Sequence, residues 1–441
     1  MKINLRFLYL LPLLALLLTD RALGEFVFGT ADERPLERLF MYGLAGCSIL
    51  LALSYYRRLE PFMRWWFWGV LASLVGLGLE SYGGWGTWAK YPHVFSKLSV
   101  LTPLFGIYAY YRRYPAPSYR QLVAVLFPVL LLNLVVFHRD ALSVGSFLET
   151  ERGFNVTSTY LLLPVALLCL NWYLTRGEWL SGLVFLVAVA LILFLQHRTV
   201  WVCTALALAL NLTLMVLRVP QARHTARRLM LLGGLGLALG AGSGLAVVLE
   251  NPDVVRKLLV NLADLQHPTT QGTGSFRMHQ YEAYMPFVAE RPLAGWRLEG
   301  FELPVQLYDA VGEQDWTDFT GHHFHSFYLD RLFYFGVLGL LLVVAVPVLA
   351  LLKALFQRAP LAPELAAMLA YACTFFVFGV SYDWPSYLFG IMGLVLAAVS
   401  YQHVPAAAAA PRWPASYRVP GAVGQAALVS SAAQCLPAPA P

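Results

Sequence analysis

The length of its apolar runs limits this chain more than any other feature. The stretch LFYFGVLGLLLVVAVPVLALL, from Leu332 to Leu352, holds no charged residue. Runs of roughly 17 to 20 apolar residues recur along most of the chain, the length at which a helix crosses a hydrocarbon layer about 30 Å thick. No soluble core needs segments of that kind, and they are too long and too uniform to be the alternating ten-residue strands of a barrel. Composition agrees: 59% of the residues are hydrophobic and 13% charged, against roughly a quarter charged in a soluble domain. The expected fold is all-α, a polytopic integral membrane protein.

Other classes are poorly supported. Cys47, Cys169, Cys203, Cys373 and Cys435 lie mostly inside apolar runs with no CxxC pairing, which gives neither a disulfide framework nor a zinc signature. The formal charge of +6 is not gathered on one face or tail, so no nucleic-acid partner is expected. No GxxxxGK loop is present to cradle a nucleotide.

The runs read as about twelve spans, at 5–19, 39–56, 63–80, 94–111, 121–137, 158–174, 179–195, 199–217, 229–249, 326–352, 364–380 and 386–402. The N-terminal segment also fits a signal peptide, but the charge pattern needs it as the first span. Starting inside, the returning loops YYRRLEPFMR, YYRRYPAPSYR, RVPQARHTARR and KALFQRAP hold most of the arginine. The outward loops hold most of the acids, as the positive-inside rule requires. On this reading residues 1–250 carry the first nine spans and 251–325 form one large outer loop. Residues 326–402 carry the last three spans, and 403–441 form a disordered Pro/Ala-rich cytoplasmic tail. Inside the loop, NPDVVRKLLVNLADLQH spaces Val254, Val255, Leu258, Leu259, Leu262 and Leu265 as an amphipathic helix, either along the membrane surface or packed in the loop. GSFRMHQYEAYMPFVAERP is a second candidate helix, with Arg277 and Tyr281 on one face.

The chemistry-bearing residues gather at the outer ends. His322, His323 and His325 precede span ten. In an extended segment His323 and His325 share a face; in a helix His322 and His325 do. A zinc or copper site with Asp318 nearby, an interfacial role and a general base are the competing readings. Asp330 falls about one turn into the span, where a carboxylate is expensive unless it pairs or faces the bundle interior, and the adjacent Arg331 is expected on a different face. Arg198 sits at a tight outer turn, either as a lipid-headgroup anchor or as an anion-binding fork. Arg277 has the same two readings, and Arg291 and Arg297 are weaker candidates. Asp383 stands near an outer end, able to orient a histidine or an arginine. Trp296, Tyr281, Tyr328 and Trp316 are aromatics suited to stacking on sugars.

Three stretches carry a resemblance to the O-antigen ligase and Wzy-type polymerase superfamily: QHRTVW at 196–201, the run from Arg277 through ERPLAGW to Trp296, and HSFYLDRLFYFGVLG at 325–339. Two details depart from the family pattern. Ser326 replaces the usual asparagine after the histidine, and Gly295 is followed by Trp296 and Arg297 where Gly-x-Gly is usual. The resemblance implies a glycosyltransferase that is inverting and needs neither metal nor cofactor, in a bacterial inner membrane with its site facing the periplasm. Its donor would be a glycan on undecaprenyl diphosphate, drawn from among the membrane lipids. Its acceptor would be the lipid A core in a ligase, or another glycan in a polymerase, with the ligase branch favoured. By likeness His325 is the base, while Arg198 and Arg277 grip the diphosphate. Tyr281, Arg291, Trp296, His322, His323, Tyr328 and Asp383 complete the candidate substrate-binding set. A secondary transporter or flippase is the alternative from another class, though no repeat between halves is visible.

The topology is directly testable. A cysteine placed by Ser275→Cys should react with an impermeant maleimide in intact spheroplasts, whereas one placed by Ala226→Cys should not. The reverse pattern would move the whole candidate site to the other side of the membrane.

Overall fold

A computed structural model describes residues 5–30, 35–148, 153–220, 227–238, 251, 253–266, 272–302, 324–357 and 359–401. Its helices are α1 (Leu11–Leu17), α2 (Arg21–Phe28), α3 (Pro35–Ser54), α4 (Pro61–Trp85), α5 (Pro92–Ser99), α6 (Thr102–Arg113), α7 (Tyr119–Phe137), α8 (Val144–Leu148), α9 (Val156–Tyr160), α10 (Leu162–Arg176), α11 (Trp179–Phe194) and α12 (Arg198–Arg218). A helical stretch over 227–238 is α13. Then follow α14 (Asp253–Gln266), α15 (Gly272–Glu290), α16 (Phe327–Phe356), α17 (Pro363–Phe378) and α18 (Ser386–Tyr401). No strand occurs among the described residues.

Among the described residues, six helical segments are long and apolar enough to cross a membrane: α3, α4, α7, α9–α10, α12 and α16. Leu8–Leu17, α11, α17 and most of α18 are shorter apolar helices. The chain is an all-α, multi-pass membrane protein. Both helices expected in the large loop are present as α14 and α15. On α14, Val255 and Leu259 are exposed while Val254 is buried. The expected tail lies outside the described residues, as does part of the expected span 229–249.

The interior helices are apolar on every side, as helices without a solvent-facing stripe must be. The α9–α10 span is mostly buried and α3 mostly is not, so α10 is central and α3 peripheral. Leu104, Phe105 and Tyr108 of α6, Tyr371 and Phe375 of α17, and Leu388 and Leu394 of α18 are likewise fully enclosed. Helix α4 shows where a bilayer fits. Trp65 and Trp68 are exposed near one end, with Tyr82 at the other end and Trp88 just beyond it. From Trp65 to Tyr82 the helix rises about 25 Å, close to a hydrocarbon thickness with interfacial aromatics at both faces.

Two expected single spans are broken. The segment 94–111 divides into α5 and α6, where Pro103 opens the new helix and the Thr102 hydroxyl donates to the Ser99 carbonyl at 2.8 Å. Proline suits a first turn because its missing N–H would have no partner there. The break in α16 is more consequential. Gly336 has φ 61° and ψ −165°, a region that is essentially glycine-only. Three backbone hydrogen bonds lost from the helix are made instead to the turn 292–296. Val337 N–H donates to the Pro292 carbonyl at 2.8 Å, Leu338 N–H to Leu293 at 3.1 Å, and Trp296 N–H to Phe333 at 2.9 Å. In a membrane such groups must find protein partners, since lipid offers none.

The contact is so close that both sides require glycine. A Cβ on Gly336 would lie 2.4 Å from the Leu293 carbonyl group, and one on Gly295, whose φ is +66°, would lie 2.5 Å from Phe335 N. PLAGW and FGVLG therefore interlock backbone to backbone.

This interlock predicts a specific intolerance. The backbone term alone should make Gly336→Ala destabilising by about 1–3 kcal/mol, with the steric overlap adding to it. Gly46→Ala, where nothing lies within 4 Å, should change stability by no more than about 1 kcal/mol. Thermal unfolding in detergent measures both, and a wild-type midpoint for Gly336→Ala would contradict the interlock.

Candidate functional site

Helix α15 carries the site's first wall. Gln280, Tyr284 and Val288 are buried along one stripe, the helical spacing of a packed face. Each of three neighbouring residues fastens a different part of the segment leading into α16. The Gln280 side-chain oxygen accepts the His325 N–H at 3.2 Å. The Tyr281 hydroxyl lies 2.6 Å from the Ser326 hydroxyl. The Tyr284 ring meets Phe324 edge-on at 4.6 Å and Phe333 at 5.2 Å, and burial pushes its phenol well above the ordinary tyrosine range.

Ser326 is also the N-cap of α16, its hydroxyl accepting the Leu329 N–H at 3.4 Å. Serine is a favoured capping residue. The next residue anchors the second wall: Phe327 N–H donates to the Gly379 carbonyl at 2.9 Å, and its ring stacks on Trp384 at 4.4 Å. The His325 side chain emerges from this scaffold exposed. Arg277, one turn before Gln280, places its guanidinium 5.0 Å from the centre of the Tyr382 ring. The segment 379–384 thus lies against both α15 and the start of α16.

Beneath this surface runs a chain of alternating charges. Lys97 of α5 pairs with Asp330, Asp330 pairs with Arg331, and Arg331 lies 3.2 Å from Asp383. Asp330 and Arg331 are buried. The expectation that Arg331 would avoid Asp330's face is wrong. Adjacent helical positions do diverge, but the long guanidinium side chain folds over the Phe327 ring at 4.7 Å and reaches back to the carboxylate. With two positive and two negative partners the string is neutral, which is how buried charges become tolerable. Asp383 ends it at the surface: its Oδ1 accepts the Trp384 N–H at 2.8 Å, and its side chain is 47% exposed.

Arg198 reaches the same end of the bundle by another route. Gln196 adopts φ 55°, uncommon for a residue with a side chain. Its amide donates to the Phe147 carbonyl at 2.6 Å, while His197 Nε2 bonds the Phe154 carbonyl at 2.9 Å. These contacts fix the turn that makes Arg198 the first residue of α12. Helix α12 runs antiparallel to α17, tied by Cys203 Sγ to the Thr374 carbonyl at 3.7 Å and, at the far end, by Leu361 N–H to the Arg218 carbonyl at 2.9 Å. Arg198 therefore shares its end with the 379–384 segment.

Other candidates sit differently. Arg291 pairs with Glu299 at 2.7 Å and covers the Trp296 ring at 4.0 Å, while the Trp296 indole donates to the Phe287 carbonyl at 2.8 Å. Both belong to the PLAGW interlock, and Arg297 is tied to Glu80 at 2.7 Å. Tyr328 donates to the Phe376 carbonyl at 2.7 Å. His322, His323, Trp316 and Asp318 lie outside the described residues. Among the described residues no three His, Cys, Asp or Glu side chains come together as a metal site would need.

Sequence reasoning missed Gln280, Lys97, Tyr382 and Gln196. Two of them left a signal. Gln280 is a polar residue on an otherwise apolar helical stripe, and Lys97 is a charge inside an apolar run, itself a reason to look for a partner.

No protein-family model matches the chain, and a search of curated proteins finds no similar one.

The charge string predicts non-additive mutations. Asp330→Asn leaves Lys97 without its carboxylate and Arg331 with Asp383 alone, and should cost about 3–5 kcal/mol, the penalty for breaking a buried pair. Adding Lys97→Met restores neutrality, so the double variant should unfold at a higher temperature than Asp330→Asn alone. Losses in the double that equal the sum of the singles would show that the pair is not coupled.

Proposed function

We propose that this chain is a membrane glycosyltransferase of the O-antigen ligase and Wzy-type superfamily, with about twelve spans, cytoplasmic termini and an outward-facing site. As a ligase it transfers a glycan from undecaprenyl diphosphate to a hydroxyl of the lipid A core oligosaccharide. The observation that carries the proposal is the setting of His325. Its side chain is exposed on a backbone fastened to Gln280, one turn along α15 from Arg277. The three sequence stretches that carry the family resemblance support the same assignment.

In the proposed reaction the acceptor hydroxyl oxygen attacks the anomeric carbon from the face opposite the diphosphate. The new glycosidic bond forms as the bond from that carbon to the diphosphate oxygen breaks, which inverts the centre. The hydroxyl proton passes to a ring nitrogen of His325, since an imidazole titrates in the neutral range. Negative charge grows on the departing diphosphate, where Arg277 and Arg198 supply forked donors. Tyr281 keeps Ser326, and with it the His325 turn, in register.

Mutation separates these roles from anchoring. His325→Ala should lower the transfer rate by about 10²–10⁴-fold in protein that remains folded, and chelators should leave the wild type unaffected. Arg198→Lys and Arg277→Lys should be substantially impaired, because lysine keeps the charge and loses the fork. An interfacial anchor would accept lysine without loss. Wild-type rates in both lysine variants would remove the clamp, and zinc-reversible inhibition by EDTA would move the histidines to a metal site.

A further inference from the structure

The tetrapeptide Tyr-Tyr-Arg-Arg occurs twice, at 55–58 and 110–113, and the fold sets the two copies side by side. Helices α3 and α6 run parallel. The Thr102 hydroxyl reaches the Ala45 carbonyl at 3.4 Å, and a Cβ on Gly106 would lie 2.8 Å from Ser48 Cα. Where both helices end, the Tyr55 and Tyr114 hydroxyls meet at 3.0 Å. The chain after α3 is a short turn, Tyr56–Arg58, packed against α6. Arg64 of α4 braces it, its guanidinium donating to the Leu59 carbonyl at 2.9 Å and the Arg57 carbonyl at 3.1 Å. The same guanidinium lies 5.2 Å from the centre of the Tyr56 ring, whose hydroxyl accepts the Trp68 indole N–H at 3.0 Å.

This braced turn presents positive charge that the chain does not balance. Arg57, Arg58 and Arg113 are exposed, and among the described residues none of the three has a carboxylate partner. Acids at this end of the bundle are committed elsewhere. Glu60 acts, with Arg112, on the buried Tyr108 hydroxyl, while Glu178 and Glu364 are paired with Arg120 and Arg176. Apolar surface adjoins the cations: Leu53 before the turn, and Phe62 and Trp65 after it, are all exposed. That is the depth of a membrane interface, where a tryptophan marks the headgroup level and clustered basic residues attract anionic lipids. A guanidinium that merely snorkels needs neither a braced backbone nor a second copy beside it.

We propose that the paired repeats hold the phosphate of an anionic phospholipid, with Arg57 and Arg58 on one side and Arg113 on the other. The guanidinium forks match the phosphate oxygens, and the acyl chains run down past Leu53 and Phe62. A phosphate shared by the two arms fastens the peripheral α3 to α6. The repeats lie at the end of the bundle marked by Arg218 and Glu364, opposite the end that carries Arg198 and His325. The assignment therefore does not depend on the glycosyl-transfer reading.

Native mass spectrometry of the full chain tests the proposal. Phosphatidylglycerol and phosphatidylcholine with identical acyl chains are offered in equal amounts, so that only the headgroup differs. The wild type should retain phosphatidylglycerol in preference. Each of Arg57→Gln, Arg58→Gln and Arg113→Gln should lower that preference about fivefold. Arg139→Gln, an exposed arginine beyond the other end of α7, should leave it unchanged. Arg57→Lys and Arg113→Lys should also lower it, because lysine keeps the charge and loses the fork. Equal retention of the two lipids by the wild type would overturn the proposal, as would lysine variants that retain phosphatidylglycerol as the wild type does. Inorganic pyrophosphate that displaces the lipid at matching concentration would also overturn it, by assigning the cluster to a soluble anion.

Discussion

Everything near the candidate site hangs on the backbone-to-backbone interlock between Gly295 and Gly336. A helix broken inside a membrane exposes amide and carbonyl groups that lipid cannot satisfy. Here the turn 292–296 enters the break and supplies partners for Phe333, Val337 and Leu338. The same insertion fixes where α15 ends and hence which of its residues face the start of α16. With that register set, Gln280, Tyr281 and Tyr284 meet His325, Ser326 and Phe324. The catalytic role proposed for His325 would need a rigid support of this kind, because small misplacement of a reacting atom is expensive.

The second support is electrostatic. The string from Lys97 through Asp330 and Arg331 to Asp383 joins α5, α16 and the loop before α18. Burying ions is rarely a net gain, but a neutral string is costly to break at any one link. The string therefore ties those three elements to one another. The string also delivers a half-exposed carboxylate to the surface that carries Arg277 and Tyr382. The guanidinium of Arg277 and the carboxylate of Asp383 then lie on adjoining elements.

Much of the fold was legible because membrane segments are decided by length and hydropathy, both local properties. Helix α14 followed from the helical spacing of its Val and Leu residues, and α15 from Arg277 and Tyr281 four apart on one face. The break at Gly336 was not legible, since FGVLG reads as apolar helix and its reason to break lies some forty residues earlier, in PLAGW. The Asp330–Arg331 pair was misjudged because periodicity describes Cβ directions, while an arginine is long enough to fold back on its neighbour. Of the candidate residues, His325, Arg277 and Tyr281 fall together around one helix turn, with Asp383 on the adjoining loop. Arg291 and Trp296 brace the interlock instead. Lys97 and Gln280 stood in the sequence as polar residues in apolar surroundings, and only the fold says what they meet.

The most direct measurement is reconstitution of the purified chain with a glycan on undecaprenyl diphosphate, with and without lipid A core. A ligase should form core-linked glycan and release undecaprenyl diphosphate in equal amounts, only when the core is present. A ladder of lengthening glycans without core would mark a polymerase and contradict the acceptor proposed. Glycan that crosses the bilayer still attached to its lipid, with no new glycosidic bond, would contradict the transfer chemistry altogether.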